Sequence, residues 1–580
     1  MKKIMAIMFV MFFGLVFYSC SNGTTTTIPT DAITSSSTTE TTTSATISTT
    51  TTTKVTTTTQ VFPTGNFVTL ADFTNFSTEF VKDEPITEIS FYYFEEKYGI
   101  PYVNIEEFIN VLLGIIDDSI QVEVNDNVVK VYVLYYYTED EKAEYGITED
   151  SFEAYVTFDF DTTIVSAPNI DALDYFSGET TTDFSEGLTV VSSTSEDEPE
   201  FTIDLGSYGF CFYTVTDGED TIYTIPVSIA NLFLSGSMYD VVANGYHLYG
   251  IDSYQLGDTE DYSAAVVQND LITDEMITES KAFLAMAFDN FYGLKDYKGI
   301  ESFTTYMGDY FGSSKSFEYK LSSFVDSLCD LHTGIIEYGQ NNPYYDYYDI
   351  VDYPTYIYDY FYDYYGTPAS LSAATISWES YEDMAYINIT EFSTDFKEKL
   401  DTVMAEVAEF DPEYVVIDLS ANGGGVIAGV LQLLNYMTNE NISLYTTTMG
   451  ADSSSTYSVE GDKALDAEFF LVTSAATYSA ANLTVAIAKE MGIARTIGSQ
   501  SGGGACAVKV LVLPNGAMMQ ISSNMNLTFS DYTTVEEGIA TDYNYSFRSA
   551  GMSYINYGKV PTHPDAADYY AIIQEMDNPS

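Results

Sequence analysis

Tyr414-Val415-Val416-Ile417-Asp418-Leu419-Ser420-Ala421-Asn422-Gly423-Gly424-Gly425 is the stretch on which the fold turns. Its first six positions are almost unbroken apolar residues, the pattern of a strand covered on both faces in a parallel sheet. The small residues and three glycines that follow, and then the amphipathic Val426 to Met437, predict strand, tight turn and helix in succession. Such a turn gathers backbone N–H groups suited to holding negative charge. Read alone, it is more often a tight connection that needs small residues for room. No Gly-Lys-Ser/Thr follows, which argues against a phosphate loop.

Toward the C-terminus the pattern repeats. Phe469 to Val472 reads as a strand, Thr473 to Tyr478 as a turn, and Ser479-Ala480-Ala481-Asn482 opens a helix with Leu483, Ala486, Ile487 and Met491 on one side. Ser479 thus stands where a helix N-terminus favours an alkoxide or a neighbouring oxyanion, although a serine there is more often a simple N-cap. A second glycine-rich loop, Ser499 to Cys506, leads into a strand from Val508 to Pro514. Toward the N-terminus, Met384 to Ile389 reads as a strand and Lys397 to Glu409 as a helix. Strands alternating with helices in this way argue for an α/β sheet covered by helices.

Further upstream, residues 271–342 carry helical periodicity, with Leu321, Phe324, Val325 and Leu328 on one face. Directly after that face comes Asp330-Leu331-His332-Thr333. His332 is one of only three histidines, with His247 and His563. By itself it reads as a core histidine before it reads as a base. Residues 343–376 form a Tyr/Asp-rich connector, with an aromatic wall over a cleft and a solvated loop as the two readings of Pro343 to Gly366. Residues 61–270 are rich in short β runs such as Val128 to Tyr137 and predict an α+β accessory domain.

The chain begins Met1-Lys2-Lys3, runs apolar from Ile4 to Phe17, and reaches Tyr18-Ser19-Cys20. This is the shape of an export signal, too short for a membrane span of about 20 residues. Ser19-Cys20 is similar to a bacterial lipobox, which implies that residues 1–20 are a lipoprotein signal segment, that Cys20 is lipidated and becomes the mature N-terminus, and that the chain is anchored on the outer face of the cell membrane. Residues 21–60 are nearly all Thr and Ser and read as a disordered stalk.

With 86 acidic and 20 basic side chains the 580-residue chain carries a net charge of −66. That excess repels phosphate backbones, so no nucleic-acid partner is expected. Four cysteines in so long a chain do not make a disulfide framework. No His/Cys/carboxylate cluster has metal-ligand spacing, and neither metal nor cofactor is expected.

Ala385 to Phe392, Val416-Ile417-Asp418-Leu419 with Asn422-Gly423-Gly424-Gly425, Tyr478-Ser479-Ala480-Ala481-Asn482, Gly502-Gly503-Gly504-Ala505 and Leu513-Pro514-Asn515-Gly516 occur in the order found in the S41 serine peptidases. The chain resembles that family from about Leu271 to Asp542, most closely the branch of the tricorn core and the interphotoreceptor retinoid-binding protein. The resemblance implies a ClpP/crotonase-like α/β catalytic core at 377–580 with a helical cap, preceded by the accessory domain. It also implies a Ser/His acyl-enzyme mechanism acting on polypeptides.

Carried onto this sequence, Ser479 is the nucleophile, His332 the general base, and Ala480 with Gly424 or Gly425 the oxyanion donors. Glu536, or else Glu537, is the supporting acid. Lys489 and Lys509 lie outside the loop where a lysine base would sit. The chain departs from the family at Leu331, at Thr541 and at Asn482, where the family has serine, proline and glutamate. The PDZ module of many relatives is not expected, because His332 to Trp378 is shorter than the minimum of about 50 residues for a domain. The alternative reading is an S41-fold binding protein without catalysis. A third is a surface protein whose β-rich region binds glycans.

Overall fold

The computed structural model describes residues 62–577, leaving out 78–85, 114–118, 177–186, 253–271, 312–315, 338–374, 460–462, 546–563 and scattered positions between 140 and 149 and at 197, 219, 237 and 238. Cys20, the stalk, the run 343–366 and His563 lie outside the described residues.

The apolar run Tyr414–Asp418 is a central strand of a six-stranded sheet whose order is Ile376–Tyr381, Met384–Ile389, Tyr414–Asp418, Glu468–Thr473, Arg495–Gly498, Tyr543–Asn544. All neighbours after the first antiparallel pair are parallel. Parallel neighbours need crossovers, and the helices Phe396–Phe410 and Ala480–Met491 lie in them. Both faces are covered. Val415 and Ile417 enter the main core, while Val416 packs with Phe470, Val472 and Ile497 against Tyr569, Ile572 and Ile573 of the C-terminal helix Ala566–Asp577. That double covering is why the strand shows no polar alternation.

A second, antiparallel sheet runs Gly334–Glu337, Met518–Thr528, Ile442–Thr448, Ala451–Val459, Leu188–Ser195, with Cys506–Val512 also paired to Met518–Thr528. Its last strand comes from the N-terminal half and pairs Ser454 with Thr194 and Tyr457 with Val190. The remaining N-terminal strands form a seven-stranded and a five-stranded sheet. The seven-stranded one packs Val242, Tyr249 and Ile251 onto Val510, Val512 and Met518.

Helix Asp274–Phe291 touches the 3-10 turn Leu205–Tyr208 and strand Met518–Thr528, and helix Phe317–Leu328 touches strand Gly334–Glu337. Leu321, Phe324, Val325 and Leu328 are buried as the periodicity predicts, each stabilising by roughly 1.5–3 kcal/mol. The first helix ties the halves together through two adjacent residues. Glu279 accepts from Lys97 at 3.1 Å, and Ser280 exchanges hydrogen bonds with the backbone N–H and side chain of Asn515.

Candidate active site

The glycine turn is fixed by space and by backbone angle together. Gly424 and Gly425 have φ of 116° and 127°, values that favour glycine. A Cβ at Gly425 would lie 2.2 Å from the Phe392 carbonyl oxygen, and one at Gly424 would lie 2.8 Å from the Ser479 Cβ. The turn is held at one edge by Phe392, which donates to the Gly424 carbonyl and accepts from the Val426 N–H. The Gly424 N–H is turned inward, donating to Asn422 Oδ1 at 2.8 Å.

Ser479 occupies the mouth of the helix Ala480–Met491 with φ 54° and ψ −123°, a conformation costing on the order of 1–3 kcal/mol for a non-glycine residue. Its side chain makes no capping bond, so the N-cap reading does not describe it. The backbone holds the strain in place. The Ser479 N–H donates to the Gly503 carbonyl at 2.8 Å, and the Tyr478 N–H donates to the Asn422 carbonyl at 3.0 Å. One glycine turn and the other are thereby locked to either side of the serine.

The backbone donors of the helix start and of the glycine turn differ in whether they are already used. The Ala480 nitrogen lies 3.1 Å from where a Gly424 Cβ would be. Among the described hydrogen bonds, neither Ala480 N–H nor Gly425 N–H donates to the protein, while Gly424 N–H does. Of the two glycines carried over from sequence, Gly425 is therefore the one with a donor to spare.

His332 follows the helix Phe317–Leu328 after a left-handed Cys329 at φ 47°. Asp330 shapes the turn, accepting from the His332 N–H at 3.1 Å and from Thr333 Oγ1 at 2.6 Å. Gln520 anchors the His332 carbonyl from the neighbouring sheet at 2.9 Å. The imidazole is 1% exposed, and its ring centroid lies 4.8 Å from that of Tyr478, the residue preceding the serine. Burial lowers its pKa to about 4, partly opposed by Asp330. At neutral pH the ring is uncharged, the state a proton acceptor needs.

Of the two glutamates, Glu536 is turned inward and Glu537 is exposed. Glu536 Oε2 accepts from the Ala505 N–H at 2.7 Å. Burial raises its pKa to about 7, against the Ala505 amide and Lys298, with Asp330 adding to the rise. The carboxyl thus braces the Gly-Gly-Gly-Ala loop. The charge acting on His332 is that of Asp330, two residues before it, a neighbour to which the sequence reading gave no role although Asp-x-His-Thr placed it there. Tyr478 was missed as well. Its ring fills the space that a Gly504 side chain would need, 2.5 Å from the built Cβ.

Both lysines are engaged elsewhere. Lys489 pairs with Asp542 at 3.1 Å, and Lys509 lies over the Phe291 ring. The Cys506 thiol is buried, donates to Asn526 Oδ1 at 3.1 Å and has its pKa pushed well up by burial. Among the described residues no group of three or more His, Cys, Asp or Glu is placed to hold a metal ion.

Residues 383–545 match the model of Peptidase family S41. The structure is similar to the photosystem II D1 C-terminal processing protease at 12% identity over 30% of this chain and 48% of that one, with a TM-score of 0.27. Mature CPAF complexed with lactacystin gives 10% identity over 52% and 98% of the two chains and a TM-score of 0.38. The tricorn protease gives 13% over 79% and 47%, with a TM-score of 0.32. The chain spans about half the length of the first and last of these. No curated protein matches it.

Proposed function

We propose, starting from the match of residues 383–545 to the model of peptidase family S41, that this chain is a serine endopeptidase acting through an acyl-enzyme. The observation that carries the reading is Ser479 itself. It is held at φ 54° at a helix mouth, its hydroxyl is not spent on capping, and Gly424 of the glycine turn and the Ala480 nitrogen crowd against it.

In acylation the Ser479 Oγ attacks the carbonyl carbon of the scissile peptide while the neutral imidazole of His332 takes its proton. The oxyanion lies against the N–H groups of Ala480 and Gly425, worth on the order of 3 kcal/mol for each donor. His332 returns the proton to the leaving amine as the C–N bond breaks. Water then attacks the ester by the same base, which frees the acid product and restores the hydroxyl. The helix dipole and the water-poor setting strengthen each of these interactions.

The substrates in this reading are exported polypeptides, and the enzyme is held on the outer face of the membrane by lipid at Cys20, with residues 21–60 as a stalk. In this reading helices Asp274–Phe291 and Phe317–Leu328 form the cap on the core, and His332 follows the second of them in the chain. A purely binding role gives no reason to maintain a strained serine. Fluorophosphonate labelling tests the assignment: wild type should be modified at Ser479 and Ser479→Ala should not. Labelling that persists in the variant, or fails in folded wild type, rejects it.

A further inference from the structure

Asn482 stands one helical turn beyond Ser479 and is fully buried. Its carboxamide spans two loops. Nδ2 donates to the Val535 carbonyl at 3.0 Å, and Oδ1 accepts from Ser501 Oγ at 2.6 Å. Ser501 Oγ in turn accepts from the Ile539 N–H at 2.6 Å. Val535 immediately precedes Glu536, and Ser501 opens the loop Gly502 to Ala505.

These bonds close a ring. From Ser479 the helix leads to Asn482, from Asn482 a hydrogen bond leads to Val535, and the next residue, Glu536, grips the Ala505 N–H. Gly503 in the same loop accepts from the Ser479 N–H. There is no slack at the loop crossing, because a Cβ on Gly503 would lie 1.8 Å from the Glu536 carbonyl oxygen and one on Gly538 would lie 2.0 Å from the Ser501 carbonyl oxygen. We infer that Asn482 is a positioning residue which, by holding the 501–505 and 535–539 loops to the nucleophile's own helix, sets where Glu536 and the Gly503 carbonyl stand relative to Ser479. The inference rests on the serine-peptidase reading for its catalytic consequence, and on the ring of bonds for its structural one.

A carboxamide suits the position because it offers a donor and an acceptor at once. A carboxylate of the same size keeps the acceptor, loses the donor toward Val535, and adds a negative charge near Glu536. Glu536 is faced by Asp330 from the loop before His332, by Lys298 and Tyr297 from the segment after the helix Asp274–Phe291, and by Tyr292, Tyr478 and Cys506.

The experiment compares full-length wild type, Asn482→Ala and Asn482→Asp by two readouts. The first is the saturation kinetics of fluorophosphonate labelling. The second is the titration of the Glu536 carboxyl by carbon NMR, assigned with Glu536→Gln, together with amide exchange in the two loops. For Asn482→Ala the maximal labelling rate should fall on the order of 10- to 100-fold, as for a misplaced reacting group. Its half-saturation should change little. The Glu536 midpoint should move from about 7 toward the ordinary carboxylate range, and exchange in both loops should quicken. Asn482→Asp should recover labelling as the pH falls and its acid regains a proton to donate to Val535.

Unchanged Glu536 titration and loop exchange overturn the inference, even where labelling is slower. Folded wild type that does not label at all overturns the peptidase reading instead, and the NMR readout still decides the role of Asn482. If the alanine variant does not fold, the aspartate variant supplies both measurements.

Discussion

The Cβ of Ser479 lies 2.8 Å from the point where a side chain on Gly424 would begin, so the glycine turn abuts the serine with no room for a side chain between them. The helix mouth is therefore crowded as well as strained, and the two effects separate by mutation. Ser479→Gly relieves the positive φ and should raise stability by about 1 kcal/mol, measured by denaturant unfolding, while abolishing peptide hydrolysis. Ser479→Ala should abolish hydrolysis without that gain, because alanine keeps the Cβ.

Gly425→Ala should damage both folding and catalysis. Its Cβ would lie 2.2 Å from the Phe392 carbonyl oxygen on a backbone at φ 127°, so the Phe392 bridge must move and carry the Gly425 N–H with it. A loss of about 2–4 kcal/mol in unfolding free energy is expected. The surviving folded protein should show a maximal rate lowered about 100-fold or more, the scale of one lost oxyanion donor.

The acid limb of activity should lie near pH 4 and not between 6 and 7. The sequence gives no reason to move His332 from an ordinary imidazole, so loss of activity through 6 to 7 is what the sequence alone predicts. Burial lowers the folded pKa to about 4, and the ring stays neutral and able to accept a proton down to that pH. Below the unfolded value of about 6.5 the unfolded chain binds the extra proton first. This group's contribution therefore falls as pH drops from 6.5 through 4. A pH profile of kcat/KM checks the point, and a limb at 6.5 would contradict it.

Much of the core is legible in the residues because it depends on local pattern. Tyr414–Asp418 is continuous and apolar where both faces are covered, and Leu321, Phe324, Val325 and Leu328 follow helical spacing onto a buried face. The strand Leu188–Ser195 is different. It is rich in Ser and Thr, half exposed, and finds its partner in Ala451–Val459 far along the chain, which no local period encodes. The same holds at the site. The serine, histidine and glycines stand in motifs, whereas the tie from Asn482 to Val535 and the packing of Tyr478 on His332 exist only once distant loops have closed.

Glu536→Gln should stabilise the protein at alkaline pH. Burial raises the carboxyl from 4.5 to about 7, so the folded state holds a proton that the unfolded state has released. Stability is lost as pH rises from about 4.5 through 7. The full shift corresponds to about 3 kcal/mol, less whatever the partly exposed side chain recovers from solvent. Glutamine still accepts from the Ala505 N–H and carries no charge to bury. Melting temperatures should rise at pH 8 relative to wild type, and their fall between pH 5 and 8 should flatten.

Lys97 and Glu279 make the same argument at the junction of the two halves. The glutamate side chain is 1% exposed and the lysine 13%, with 3.1 Å between them. Burial still wins over the pairing at the carboxyl, whose pKa is raised to about 7, while the Lys97 ammonium is held above its usual range by Glu279 against its own burial. Lys97→Met removes the counter-charge and leaves a buried carboxylate, a change that costs roughly 3–5 kcal/mol. Because the folded carboxyl pKa is raised, the penalty should be largest at pH 8 and shrink toward pH 5, where Glu279 takes up a proton. Lys97→Met combined with Glu279→Gln should recover most of the loss, since neither charge then remains to be buried. Urea unfolding at the two pH values measures both effects, and a loss equal at pH 5 and pH 8 would show that the lysine contributes by packing its stem and not by its charge.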